Sequence, residues 1–154
     1  MELLIESMTS REGNIITEAS NNPEKDVFLS GTLMQAEHEN RNKRRYKLSE
    51  MVEAVRIANE SIKDYGGIWG ELDHPADRLQ VELKHVSHAI TEMHMDGNNV
   101  QGKIKILNTP MGLIAKELGR SGIRFGVSSR GTGTVNEGEV SNFNFVTIDI
   151  VSTP

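Results

Sequence analysis

The chain has no cysteine, which removes disulfides, thiolate metal sites and thiol nucleophiles from consideration. Aromatic residues make up only 5% of it, so a core has to be built mainly from aliphatic side chains. Basic residues are outnumbered, 17 Lys and Arg against 22 Asp and Glu, for a net charge of −5. That balance argues against a general nucleic-acid binder, whose phosphate-facing surface is normally basic. No run approaches the roughly 18 apolar residues of a membrane-spanning helix. The start, MELLIESMTSREG, lacks the basic and then hydrophobic pattern of a secretory signal. The expectation is a soluble, intracellular chain whose 154 residues suit one domain with its own core.

What is present is a series of short apolar segments separated by turn signals. Residues 3–7 read as a strand, followed by a polar, loop-like stretch through Asn21-Asn22-Pro23. Residues 27–37 read as a strand with Gly31 as a bulge position. Met51, Val55, Ala58, Ile62 and Tyr65 recur at spacings of four and three, which predicts a helix with one buried stripe. Ser49 is placed to cap that helix and Gly66-Gly67 to stop it. Residues 68–72 form a short strand delivering His74 to a turn fixed by Pro75. Segments 86–95 and 100–107 flank Asp96-Gly97-Asn98-Asn99, a hairpin signal. Thr109-Pro110 starts a short helix ending near Gly119. Residues 124–130 are a strand leading into a Gly-rich turn, and 143–151 the last strand. Several strands and two helices without regular alternation predict an α+β fold, mainly an antiparallel sheet or barrel.

Two stretches carry chemistry. Gly70-Glu71-Leu72-Asp73-His74-Pro75 places a histidine on a turn, and Gly126-Val127-Ser128-Ser129-Arg130-Gly131 places serines between glycines. Serine and histidine are the minimum for acyl transfer, because a hydroxyl is a poor nucleophile until an imidazole takes its proton. A histidine such as His74 is the side chain best suited to act as base near pH 7. In an extended 124–130 segment, Phe125, Val127 and Ser129 share one face, and Gly126, Ser128 and Arg130 the other. Burial of Phe125 and Val127 sends Ser128 to the polar face, so Ser128 rather than Ser129 is the expected nucleophile. Backbone amides near Ser128, Ser129 and Arg130, with the Arg130 guanidinium, are candidates to stabilise an oxyanion. Asp149 is an acid inside an apolar strand, costly to bury without a partner; His74 would supply one, and a sheet-edge aspartate facing water is the plain alternative. Taken singly, each stretch is also an ordinary strand end or proline-flanked turn.

Two other classes compete. A metal hydrolase would draw on His38, His74, His85, His88 and His94, but His85 and His88 point to opposite faces if they lie on a strand. A non-catalytic binding or scaffold module would use the basic run from Asn40 to Arg45, a pattern that is usually a solvated turn.

The two hexapeptides resemble those of the prohead core proteases of T-even-type tailed phages. Met34-Gln35-Ala36-Glu37 with Asn40-Arg41-Asn42-Lys43-Arg44 and Tyr46, and the closing Val146-Thr147-Ile148-Asp149-Ile150-Val151-Ser152-Thr153-Pro154, are similar to further segments of that family. Tyr46 is followed by Lys47 where relatives often have proline, so the start of the helix is expected to differ. The resemblance implies a fold like the herpesvirus assemblins, a β-barrel with surrounding helices. It implies a serine endopeptidase with Ser128 as nucleophile, His74 as base and Asp149 as third member, needing no metal or organic cofactor. It implies scaffold and major capsid precursor proteins as substrates, cut after Glu in an aliphatic-x-Glu context inside the prohead in the host cytoplasm. Leu4-Ile5-Glu6 and Ile16-Thr17-Glu18 fit that context, so self-cleavage is one expectation and a homo-oligomer an option. No nucleic acid or membrane partner is called for. Relatives carry a further C-terminal tail, and residues 1–154 read as the protease domain without it.

Overall fold

The computed structural model describes residues 1–20, 22 and 24–152. Asn21, Pro23, Thr153 and Pro154, which carry part of the expected 21–23 turn and the end of the closing motif, lie outside the described residues. In chain order the elements are β1 (Glu2–Met8), α1 (Ser10–Gly13), β2 (Ile16–Glu18), β3 (Val27–Gln35), β4 (Arg45–Tyr46) and α2 (Leu48–Tyr65). There follow β5 (Ile68–Glu71), a 3-10 turn (Leu83–His85), β6 (Val86–Asp96), β7 (Asn99–Ile106), α3 (Pro110–Arg120), β8 (Gly126–Asn136) and β9 (Glu139–Val151).

One sheet runs β1-β8-β9-β4 and the other β2-β3-β7-β6-β5. Pairing is antiparallel except for the two-residue β4, which lies parallel to β9. The sheets meet along β5 and β9, where Leu72 bridges Ile150 and the Thr147 hydroxyl donates to the Trp69 carbonyl at 2.7 Å. The fold is α+β and mainly antiparallel, as the segment pattern predicts. Leu4, Leu29, Ile90, Ile104, Ile106, Val127, Ile148 and Ile150, each no more than 1% exposed, form the aliphatic centre of the core. Full burial of such side chains contributes about 1.5–3 kcal/mol each.

Several local expectations are corrected. Ser49 is not the cap of α2: the helix starts at Leu48 after Lys47, which makes no side-chain capping bond. The Leu48 amide donates instead to the Glu37 carboxylate at 2.9 Å, an acid well placed at the positive end of the helix dipole. Lys47 has φ −66°, a value that proline would also adopt. Met51, Ala54, Val55 and Ala58 form the buried stripe, but Tyr65 stands 85% exposed. It is the last helical residue, before Gly66 stops the helix in the left-handed region at φ 91°.

The stretch read as loop after β1 contains α1, started by a Thr9–Glu12 capping box, and β2. The bulge in β3 falls between Thr32 and Met34 rather than at Gly31. Gly131 and Gly133 are strand residues; the turn comes later, at Glu137 and Gly138, both with positive φ (52° and 82°), the primed geometry that suits a two-residue hairpin.

Candidate active site

β8 is central in its sheet. Along it Ser128 lies opposite Ser7 of β1 on one side and opposite Asp149 of β9 on the other. Directly opposed residues share a face of the sheet, and Arg130, two residues on, shares it too. Ser129 projects to the other face with Ile148, towards the core. There it is 5% exposed and borders a small cavity with Glu6, His38 and Tyr46. Phe125 and Val127 are buried as the alternation requires. The face carrying Ser128 is not open to water, however. Ser128 is 0% exposed, and the Ser7 hydroxyl donates to its Oγ at 3.3 Å.

The histidine hexapeptide is stitched to the same end of that sheet. After the Leu72–Ile150 bridge, the Asp73 amide donates to the Ile150 carbonyl at 2.7 Å. Asp73 then turns the chain in the left-handed region at φ 62°. His74 follows, exposed, with its Nδ1 only 3.5 Å from the carbonyl of its own neighbour Pro75. Ile150 is the residue after Asp149 and lies opposite Val127, so histidine and serine converge on one short stretch of β9. Among the described residues His74 shares no hydrogen bond with Ser128.

Asp149 does not meet His74 either, contrary to the triad expectation. Its Oδ1 accepts from the Glu71 amide at 3.0 Å and from Arg130 Nη2 at 2.9 Å, and its Oδ2 from Arg130 Nε at 3.1 Å. The planar guanidinium fork matches both carboxylate oxygens at once. Arg130, itself 0% exposed, spends its remaining donors on Glu71 Oε2 at 2.8 Å and on the carbonyls of Arg78, Leu79 and Gln80 at 3.2, 3.3 and 3.1 Å. No guanidinium N–H is left for an oxyanion, which corrects that part of the expected role of Arg130. The backbone amides from Ser128 to Arg130 lie between two strand ladders.

Glu71 completes the network through Arg78, whose Nη2 and Nη1 reach Oε1 and Oε2 at 2.7 and 2.8 Å. Two arginines and two acids therefore balance in charge. Removing one member of such a buried pair costs about 3–5 kcal/mol. Burial pushes the Glu71 carboxyl up, but the hydrogen bonds and charges of Arg78 and Arg130 outweigh it and hold the group below its ordinary value. At Asp149 burial wins and the carboxyl is raised, against the pull of the Glu71 amide and Arg130. Glu71, Arg78 and Ser7 are not among the residues that the sequence pattern singles out. Glu71 carried one signal, an acid three residues after the start of an apolar strand; Ser7 carried none, because its role comes from pairing with a strand far along the chain.

The early motif braces β1 beside this site. Asn42 Nδ2 donates to the Ile5 carbonyl and to Glu6 Oε1 at 3.0 and 2.8 Å, and Arg44 Nη1 to Glu6 Oε2 at 3.1 Å. The Tyr46 hydroxyl also donates to Glu6. Burial and then the Glu6 charge push the Tyr46 phenol far above its ordinary value, so it stays a donor. The basic run is thus spent within the fold at Arg44, while Arg41 pairs with Glu12.

The histidines of the metal reading are scattered. His85 ends the 3-10 turn beside Glu82, at 3.2 Å. His88 is 0% exposed in β6, and among the described residues no group of three His, Asp or Glu is arranged to hold a metal ion. His88 Nε2–H donates to the Ile148 carbonyl at 2.7 Å, and Nδ1 accepts from the Ser87 hydroxyl at 2.6 Å. Burial drives its pKa from 6.5 down to about 4, despite the carbonyl. A base with a depressed folded pKa binds fewer protons folded than unfolded between those two values. Stability is therefore expected to be full above about pH 6.5 and to fall as pH drops towards 4, by on the order of 3 kcal/mol from this residue. Urea unfolding midpoints measured between pH 7.5 and 4.5 check this. A flat profile would contradict it.

A larger apolar groove of about 620 Å³ between α2, β5 and β9 is lined by Tyr65, Trp69, Phe143 and Phe145 among others; Ser128, His74 and Asp149 are not part of it.

Among known proteins, the prohead core protein protease of Enterobacteria phage T4 is 35% identical over 115 residues, which is 72% of this chain and 53% of that protein. The chain thus spans about half the length of this curated relative. The solved structure of the bacteriophage T4 capsid assembly protease, gp21, matches with a TM-score of 0.82 at 32% identity, covering 99% of this chain and 98% of that one. The family model of prohead core protein serine proteases matches residues 2–153, a span that holds both hexapeptides, the β1 brace and the strand that joins them. By sequence along nearly its whole length and by fold, this chain belongs to the prohead core protein serine protease family.

Proposed function

We propose that this chain is a serine endopeptidase of capsid maturation, with Ser128 as nucleophile and His74 as general base. The observation that supports it most is the shared attachment to β9: Ser128 stands opposite Asp149, and the turn carrying His74 is bonded to the next residue, Ile150. In this mechanism Ser128 Oγ attacks the scissile carbonyl while His74 takes its proton. His74 returns the proton to the amide nitrogen as the C–N bond breaks, and water, deprotonated by His74, then releases the acyl group. Asp149 serves as counter-ion to Arg130 rather than as the partner of His74. Ser128 has no exposed surface in the state described, so a peptide reaches it only when the chain covering this end of the sheet shifts.

The substrates are scaffold and major capsid precursor proteins within the prohead, cut after Glu. Of the two matching triplets in the chain itself, Glu6 lies within β1, paired residue by residue with β8, and its carboxylate is held by Asn42, Arg44 and Tyr46. Glu18 ends the short β2 and is exposed. Self-cleavage, where it occurs, falls after Glu18.

Incubating the protein with a candidate scaffold or coat precursor, with and without a fluorophosphonate label or a strong chelator, tests the reading by mass spectrometry. Expected are precursor fragments ending in Glu, label on Ser128 and activity that survives chelation. Loss of activity on chelation with rescue by zinc would overturn it, and intact precursor would remove the substrate assignment.

A further inference from the structure

We propose that Arg130 is the positioning residue of this site: it clamps the far leg of the His74-bearing segment onto the serine strand and so sets where His74 stands relative to Ser128. The proposal rests on the assignment of Ser128 and His74 made above.

Among the described residues His74 has no side-chain hydrogen-bond partner that would fix its ring. It is exposed, and the ring contact it makes is to the adjacent residue. A base without an orienting acid takes its position from its backbone, and that backbone belongs to a segment without helix or strand between Glu71 and the 3-10 turn at Leu83. The near leg is held at Ile150 through Leu72 and Asp73. The far leg is held by Arg130 Nη1, which faces three successive carbonyls, those of Arg78, Leu79 and Gln80. Arg78 reinforces the hold by reaching back to Glu71, at the root of the near leg, and to the Gln80 carbonyl at 2.5 Å.

Arg130 is also two residues from Ser128, on the same strand and the same face. One rigid strand therefore carries both the nucleophile and the clamp, while Asp149 and Glu71 hold the guanidinium plane in orientation. A lysine would supply the charge for the two acids, but its ammonium has three donors and no planar fork, so it cannot grip the carbonyls and the carboxylates together.

The test compares Arg130→Lys with the unaltered protein by two readouts, hydrogen exchange of segment 73–82 and the rate at which a fluorophosphonate labels Ser128. Expected are faster exchange in 73–82 with β1 and β8 unchanged, and labelling slower by about 100-fold, the size of effect an ångström-scale misplacement produces. Placed in a His74→Ala background, Arg130→Lys is expected to change the residual labelling rate by less than about threefold, because there is then no base to misplace. An equal loss in both backgrounds would overturn the proposal, as would unchanged exchange in 73–82. If Arg130→Lys does not fold, Arg78→Met loosens the same leg from a side chain that is 26% exposed. Its expected loss is about tenfold, again vanishing without His74, and a loss that persists there would overturn the proposal. Failure of the unaltered protein to label at Ser128 would sink the serine–histidine assignment and this proposal with it, while the exchange result separately reports whether the clamp exists.

Discussion

Replacing Ser128 with alanine is expected to lower precursor cleavage by about 10⁴-fold or more, the scale on which removal of a nucleophilic serine acts, while the protein stays folded. The fold should tolerate the change because the hydroxyl makes one long bond, 3.3 Å from Ser7 Oγ, and such a bond contributes about 1 kcal/mol. Ser129→Ala is the informative comparison. Ser129 is chemically the same residue one step along the strand, but it projects towards Glu6, Tyr46 and the core-side cavity, away from the face shared by Ser128, Arg130 and Asp149. It should retain activity within about tenfold of the unaltered protein, since it touches no part of the reacting centre. Cleavage rates of the two variants, each beside a thermal melt showing a folded chain, decide the matter. Reversal of the two outcomes would move the nucleophile to Ser129 and require β8 to present its other face.

Gly70→Ala is expected to be among the most destabilising small substitutions in the chain. A Cβ at Gly70 would overlap His88 Nε2 and the Ile148 carbonyl oxygen, the two ends of one buried hydrogen bond. Neither can retreat: Ile148 is in the middle of β9, and the His88 ring is held from its other side by Ser87. Overpacking costs about 1–3 kcal/mol and a broken buried hydrogen bond a further 1–3 kcal/mol or so. For a domain of this size that corresponds to a fall in Tm of about 10 °C or more. A melt within about 2 °C of the unaltered protein would show that β5 can move away from β9 without loss. Because Glu71 follows Gly70 directly, the same change should weaken the Arg78–Glu71–Arg130 contacts, and activity should fall with stability.

The two hexapeptides thus turn out to be largely packed into the fold. In the first, Gly70 makes room for the His88 bond, Glu71 binds two arginines, Leu72 and Asp73 tie the segment to Ile150, and Asp73 and His74 are exposed. In the second, Val127 enters the core, Ser129 backs onto β1, and Arg130 anchors the neighbouring loop.

Much of this was legible along the chain because it depends on neighbours in sequence. The period of α2, the hairpin signalled by Asp96-Gly97-Asn98-Asn99, the Thr109-Pro110 helix start and the alternation placing Ser128 and Ser129 on opposite faces all follow from local geometry. So does the absence of thiol chemistry. What local order could not supply was the identity of partners from distant segments. The amide of Leu48 takes its cap from Glu37, a residue on the far side of β4, and not from the nearby Ser49. Asp149 had to be paired to be buried, and the sequence by itself determined that much, along with the strand that bears Ser128 and the turn that bears His74. Which cation or imidazole paired with it was decided only by tertiary structure. Arg130 lies on the adjacent strand, on the same face and two residues from the one opposite Asp149, and its fork satisfies both carboxylate oxygens in a place water does not reach, whereas His74 is carried out to the surface by the left-handed turn at Asp73.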